Sequence, residues 1–215
     1  MPVRKKNVAA VIMASGFSRR MGQNKLALDL EGKTVIERVM DLVAGIGYST
    51  TIVVSQYDQF LIWADERGLY PLINPYAAEG KSSSVRLGAS ILETLGAKGK
   101  IEPPAGIIFI PGDQILLTAG LLRQLNEAFL ARPDRIVFPV YDGEPGSPAI
   151  FPADLIPRLK KLEGEEGGKS AAKEYPDRIV YVRAEPGWQG MDFDTAEDWE
   201  NVKKLFSIEM QARKA

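Results

Sequence analysis

Short, wholly apolar runs alternate with amphipathic stretches of helical spacing, and this alternation restricts the fold more than any other feature of the chain. Val8-Ala-Ala-Val-Ile-Met13 is apolar at six consecutive positions and closes on a Ser/Gly loop. Thr51–Val54 and Gly106–Ile110 have the same character. A strand that is apolar on both faces has to be covered on both faces, as in a parallel sheet between helices. Between the runs, Val35, Ile36, Val39, Met40 and Val43 recur at helical spacing, and Gly45 and Gly47 close that segment. Similar spacing predicts helices over 58–67, 82–95, 118–130, 154–162 and 195–206, with a short one over 169–174. Gly68 reads as a stop, Thr118 as a cap, and Ser82 or Ser83 as another cap. Further strands are expected over 70–73, 135–140 and 179–182. Such an order implies a three-layer α/β/α arrangement around a mostly parallel sheet.

No repeat or linker interrupts the 215 residues, so a single domain is expected, with its core over about 8–205 and short flexible termini. Arg4-Lys5-Lys6 reads as a solvated extension, and the charged tail after Ser207 as a segment that frays. The three tryptophans, Trp63, Trp188 and Trp199, read as packing residues.

The chain has no histidine and no cysteine. This removes the Ser-His-Asp triad, thiolate chemistry, disulfides and the usual metal ligands. Chemistry has to rest on carboxylates, Lys, Arg, hydroxyls, backbone amides or a bound ion. With 27 basic and 28 acidic residues, nothing in the charge balance suggests a nucleic-acid groove or a membrane surface. No apolar run approaches the ~18 residues of a membrane span. The run at Val8–Met13 is too short for a signal peptide. A soluble, cytoplasmic protein is expected.

Ligands of an open α/β sheet bind beyond the carboxyl ends of its strands. After the first strand, Ala14, Ser15 and Gly16 allow close backbone approach, and Arg19, Arg20 and Lys25 follow. Turn amides with Arg and Lys donors suit a polyphosphate, although the segment also reads as a surface loop with solvated charges. It is neither a Walker A loop nor a Gly-x-Gly-x-x-Gly turn. Gly112-Asp113 follows the strand 106–110 directly, where a carboxylate would meet a Mg²⁺·phosphate ligand or simply cap a turn. In Asp192-Phe193-Asp194-Thr195, Asp194 is expected to cap the last helix, with Glu197 completing a capping box. Asp192 is left as a second metal ligand. Glu79-Gly80-Lys81-Ser82-Ser83-Ser84 opens a helix whose hydroxyls and amides suit a base or ribose, or an ordinary cap. Gly143–Pro148 reads as a hairpin or as an acceptor-side wall.

Taken in order, these segments resemble the molybdenum cofactor NTP-transferase family, in particular its cytidylyltransferase branch. The matching residues are Ala14-Ser15-Gly16-x-Ser18-x-Arg20-Met21-Gly22-x-x-Lys25, Asn74-Pro75 through Ser84, Gly112-Asp113-Gln114, Gly146-Ser147-Pro148-x-x-Phe151 and Asp192-x-Asp194-Thr195-x-x-Asp198. The resemblance implies a Rossmann-like nucleotidyltransferase fold that binds CTP and Mg²⁺. CMP would pass to the terminal phosphate of molybdopterin cofactor with release of pyrophosphate, for later use by a molybdenum hydroxylase apoenzyme. By motif position, Gly16, Arg20 and Lys25 would hold the triphosphate and Ser82, Ser83 and Ser84 would lie near base and ribose. Asp113 and Asp192 would hold Mg²⁺. The first loop departs from the cytidylyl Ala-Ala-Gly and from the guanylyl Ala-Gly-Gly, because its middle residue is Ser15. Ser147 stands where the family commonly has His, and Gly168-Lys169 where it has Ala-Arg. A guanylyltransferase, a transferase with another phosphate acceptor, and a non-catalytic cofactor carrier are the competing readings.

Overall fold

A computed structural model describes residues 7–212, with side chains through 209, so the Arg4–Lys6 cluster lies outside the described residues. Among the described residues there are ten strands: β1 (Val8–Met13), β2 (Asp29–Leu30), β3 (Lys33–Thr34), β4 (Thr51–Ser55), β5 (Tyr70–Ile73), β6 (Gly106–Pro111), β7 (Ile136–Tyr141), β8 (Glu144–Pro145), β9 (Ala149–Pro152) and β10 (Ile179–Arg183). Seven α-helices join them: α1 (Val35–Ala44), α2 (Asp58–Glu66), α3 (Lys81–Ala97), α4 (Ala119–Ala131), α5 (Ile156–Leu159), α6 (Gly168–Ala172) and α7 (Ala196–Ala212). The main sheet runs β10-β7-β9-β6-β1-β4-β5, with β8 paired to β7, while β2 and β3 form a small ribbon. β1 lies parallel between β4 and β6, with Ile12 opposite Val53 on one side and Ile110 on the other. These three residues are completely buried, as the apolar runs require. One face of the sheet packs on the cluster that includes α1 and α4, the other on the cluster that includes α3 and α5.

Local chemistry sets several of these boundaries. Thr34 and Glu37 form a reciprocal capping box at the start of α1, and the five periodic apolar residues of that helix are all buried. Thr118 Oγ1 accepts from the Leu121 amide, as its position before α4 predicts. Expected caps at Ser82 or Ser83 are not formed. α3 starts one residue earlier, from Gly80 at φ +97°, and the Ser83 hydroxyl donates to the Gly80 carbonyl. Only glycine suits this cap, because a Cβ there would lie 2.5 Å from the Gly164 carbonyl oxygen.

Two other expectations are corrected, and one strand is added. The helix over 154–162 shrinks to a 3₁₀ turn and the single-turn α5, with Pro157 in its first turn. The last helix continues past Ser207 to Ala212 instead of fraying. The hairpin expected at Gly143–Pro148 forms between β7 and β8, where Tyr141 pairs with Glu144, and the strand that follows, β9, which no pattern in the sequence announces, lies antiparallel between β6 and β7. The tryptophans pack as expected: Trp63 stacks on Phe60, Trp199 lies 4.8 Å from Phe193, and Trp188 packs against the same core. No helix among the described residues is long and apolar enough to cross a membrane.

Gly88 brings α3 down onto β1, since a Cβ there would lie 2.6 Å from Val11 Cγ1 at the sheet centre. Helix propensity alone favours alanine by about 1 kcal/mol, whereas overpacking a fixed core costs about 1–3 kcal/mol. Gly88→Ala should therefore lower the urea midpoint by the equivalent of about 1 kcal/mol at unchanged m-value. A raised midpoint would mean that α3 can lift from the sheet.

Arg67, just past α2, clamps α1: its guanidinium lies 3.0 Å from Glu37 and 2.7 Å from Asp41. Burial opposes ionisation of both acids. Hydrogen bonds from Thr34 and Arg67 overcome it at Glu37, and those from Lys33 and Arg67 at Asp41, so both carboxyls titrate below their ordinary values. Acids depressed in the folded state stabilise it above their ordinary pKa and lose that contribution as pH falls through the depressed one. Arg67→Met should cost about 1 kcal/mol at pH 7, discounted for partial exposure, and little at pH 2. Equal losses in urea titrations at both pH values would assign the effect to packing.

Candidate active site

The order of the sheet reverses at β1, with β4 on one side and β6 on the other, and a cleft of about 1020 Å³ opens at the carboxyl ends of these strands. The loop leaving β1 forms its floor. The Ala14 amide donates to the Val54 carbonyl, and the Ser15 hydroxyl donates to that same carbonyl at 3.2 Å. Asn74 Nδ2 shares its two N–H donors among Ser15 Oγ, Ser83 Oγ and Ser84 Oγ, at 3.0, 3.0 and 3.2 Å, joining the first loop to the start of α3. Gln56 and Tyr57 donate to the carbonyls of Ser15 and Gly16. Beyond this pinned root, Ser18 turns left-handed at φ 52°, and its hydroxyl accepts from the Lys25 amide.

The centre of the site is an ion-pair chain. Lys25 Nζ lies 2.6 Å from Asp113 Oδ2, 2.9 Å from Asp194 Oδ1 and 3.0 Å from the Phe193 carbonyl. Arg20 Nη1 lies 2.6 Å from the other oxygen of Asp194. Burial alone would pull the Lys25 ammonium down, but the Asp113 and Asp194 carboxylates outweigh it and raise its pKa. The hydrogen bond from Lys25 holds Asp194 below the usual carboxylate range. Asp192 behaves oppositely. Although the residue sits at the exposed rim of the cleft, desolvation of its carboxyl and then the negative charge of Asp113 raise its pKa.

Most of the residues expected from the sequence meet here. Ser15, Gly16, Arg20, Lys25, Ser84, Gly112, Asp113 and Asp192 all line the cleft. Ala14, Ser82 and Ser83 do not. Ala14 is completely buried, and the Ser82 hydroxyl accepts from Arg86 Nη1. Ser83 is consumed by Asn74 and the Gly80 carbonyl. Asp194 is not the cap of α7. Thr195 and Asp198 form that box: the Asp198 amide donates to Thr195 Oγ1, while Asp198 Oδ2 accepts from the Thr195 amide. Glu197 takes no part in it. Asp194 is thereby freed to face the cleft, a role the sequence reading missed. The signal was the Asp-Phe-Asp alternation: side chains two apart in an extended segment share a face, and the Phe193 between them is fully buried. On the far wall, Gln114 Nε2 and the Tyr141 hydroxyl both donate to the Ser147 carbonyl, at 3.0 Å and 2.7 Å.

The two acids suit a divalent cation. Mg²⁺ ordinarily takes one or two protein carboxylates and completes its shell with water and phosphate oxygens. Among the described residues no group of three or more acidic, His or Cys side chains forms a closed cage, so an ion here would depend on the ligand's phosphates. A bound cation would offset the desolvation of the Asp192 carboxyl and, after it, the repulsion from Asp113.

A three-layer α/β sheet with this basic loop and paired acids at its switch point defines a nucleotidyltransferase. Enzymes of this fold commonly use a divalent metal. The chain belongs to the MobA-like NTP transferase domain family, which it matches over residues 10–179. It is 26% identical over 215 residues to the purine catabolism protein PucB of Bacillus subtilis, covering 95% of this chain and all of that one. A 54-residue stretch, 25% of this chain and 26% of the other, is 44% identical to a probable molybdenum cofactor guanylyltransferase of Natranaerobius thermophilus. Among solved structures, a Methanothermobacter nucleotidyl transferase superposes with a TM-score of 0.78 at 20% identity, over 94% of this chain and 99% of that one.

Asp113→Ala should leave the melting temperature within a few degrees of wild type and reduce nucleotidyl transfer by about 10²–10³-fold or more. Lys25→Ala should impair use of the triphosphate. Unchanged steady-state kinetics in either variant would remove that side chain from the reaction.

Proposed function

We propose that this enzyme transfers CMP from CTP to the terminal phosphate of molybdopterin cofactor. An oxygen of the acceptor phosphate attacks the α-phosphorus, the bond to the β-phosphate bridging oxygen breaks, and pyrophosphate leaves. The acceptor is already an anion at neutral pH, so no strong base is needed, in keeping with a chain that lacks histidine. Gly16, Arg20 and Lys25 would bind the triphosphate, with the Lys25 ammonium set against charge developing on the leaving pyrophosphate. Asp113 and Asp192 would hold Mg²⁺, which supplies charge neutralisation and alignment of the phosphates. Ser84 lines the cleft from the start of α3 and would face ribose or base, while Ser82 and Ser83 would support it from behind. The Ser147 loop would form the acceptor side. We assign the chain to one catalytic domain acting in the cytoplasm, with its product destined for a molybdenum hydroxylase apoenzyme.

The observation that carries the choice of nucleotide is Ser15. Its hydroxyl is tied to Val54 and Asn74, so the side chain cannot swing out of the cleft. The guanylyl branch that the sequence resembles has glycine at this point. A fixed Cβ and hydroxyl there leave less room and favour a pyrimidine over a purine. The guanylyltransferase name of the partial relative supports the acceptor class and keeps GTP as the second reading.

Pyrophosphate release should be measured with Mg²⁺, molybdopterin cofactor and each of CTP, GTP, ATP and UTP. CTP should be preferred, and Ser15→Gly should shift the CTP/GTP ratio toward GTP by about tenfold, equivalent to ~1.4 kcal/mol. Preference for GTP in the wild type would move the enzyme to the guanylyl branch. Tight cofactor binding with no release from any nucleotide, and full support of hydroxylase maturation by Asp113→Ala, would instead indicate a carrier.

A further inference from the structure

The ammonium group of Lys25 has three N–H donors, and three acceptors surround it: Asp113, Asp194 and the Phe193 carbonyl. With all three contacts made, each N–H faces an acceptor and none is left over for a phosphate. Triphosphate can therefore be bound by Lys25 only if one of these three contacts is given up. The three are not equally easy to release.

Asp194 and Phe193 lie on a segment held from behind. The Asp194 amide donates to Asp198 Oδ2 at 3.1 Å, within the cap of the 17-residue helix α7. The Phe193 ring is completely buried against Trp199 of that helix. Both carboxylate oxygens of Asp194 are in use, one on Lys25 and one on Arg20. Asp113 stands differently. It lines the cleft together with Asp192, so a divalent cation held by the two acids would compete directly with Lys25 for it.

We propose that Asp194 is a positioning residue that fixes Lys25 and Arg20 at the triphosphate end of the cleft, whereas Asp113 masks Lys25 until a cation takes its place. The assignment rests on the nucleotidyl-transfer reading above but not on which base is used. Two carboxylates on one lysine thus have opposite effects on anion binding. Without Asp194, Lys25 collapses onto Asp113 and Arg20, whose side chain is 76% exposed, loses its carboxylate partner. Without the Asp113 charge, Lys25 stays anchored and gains a free donor. The opposing electrostatic effect, that removing any acid should attract an anion, is weakened at Asp194 by solvent, since its side chain is 42% exposed.

Calorimetric binding of inorganic tripolyphosphate and of CTP, with and without Mg²⁺, separates these roles. Asp194→Asn should weaken Mg²⁺-dependent binding of both by at least tenfold and raise KM more than it lowers kcat. Asp194→Glu should recover part of the loss, which guards against a misfolded Asn variant. Asp113→Asn should tighten metal-free tripolyphosphate binding several-fold while turnover is lost. In an Arg20→Ala/Lys25→Ala background, Asp194→Asn should have no further effect on binding. Equal or tighter tripolyphosphate binding by Asp194→Asn, or a loss that adds in full to those of Arg20 and Lys25, would overturn the proposal. If tripolyphosphate binds the wild type and CTP does not, the nucleotide assignment fails, and the comparison at Asp194 is still decided by tripolyphosphate.

Discussion

A single ammonium group ties the catalytic end of this protein together. Lys25 comes from the loop after β1, Asp113 from the end of β6, and Asp194 from the segment before α7, so one side chain joins three parts of the chain that are far apart in sequence. The Lys25 side chain is only 13% exposed, and an unpaired charge so placed would be costly. Folding therefore has to bring a carboxylate to it, and here it brings two. A largely buried ammonium at this place makes assembly of the cleft depend on the whole sheet being in register.

The sheet supplies that register through its most apolar strands. β1 is paired on both sides over nearly its whole length, and the Gly112 amide continues the pattern by donating to the Met13 carbonyl. This hydrogen bond sets the Gly112-Asp113 turn beside the root of the basic loop. On the other side of β1, Asn74 gathers three serine hydroxyls with one amide group. A buried polar network of this kind is stable only when its members find partners, and here it rigidifies the floor on which a nucleotide would rest. The cleft has a firm floor and a mostly solvated basic rim, suited to a ligand that enters as a hydrated polyanion.

The legible part of the fold was the part governed by periodicity. The strands at 8–13, 51–55, 70–73 and 106–111 and the helices at 35–44, 58–66 and 119–131 follow directly from apolar runs, spacing and caps. β9 was not legible, because Ala149–Pro152 is too short for a pattern and contains a proline. Its place between β6 and β7 depends on tertiary pairing alone. At the cleft, Lys25 and Asp113 were expected from their positions after strands, and Asp192 because it had no capping duty before the last helix; all three line it. Asp194 was misread, because an acid before a helix has an adequate local explanation as a cap. Thr195 and Asp198 took that task, and this was visible only from hydrogen-bond partners. Serine hydroxyls suffered the reverse error: Ser82 and Ser83 read as ligand groups and turned out to be internal bolts.

The reversed direction of β9 has a further consequence. Ala149 lies beside Phe109, near the ligand end of β6, so the residues just before β9 emerge at the cleft while those just after it are carried to the opposite edge. A parallel strand would have delivered its following loop to the cleft instead, as β1 and β6 do. The wall bearing Ser147 is thus attached through the beginning of a strand, and the nucleotide-side loops through the ends of others. The hydrogen bond from Gln114 to the Ser147 carbonyl ties that wall to the exit of β6. The two sides of the cleft thus hang from opposite ends of their strands and meet at that backbone carbonyl.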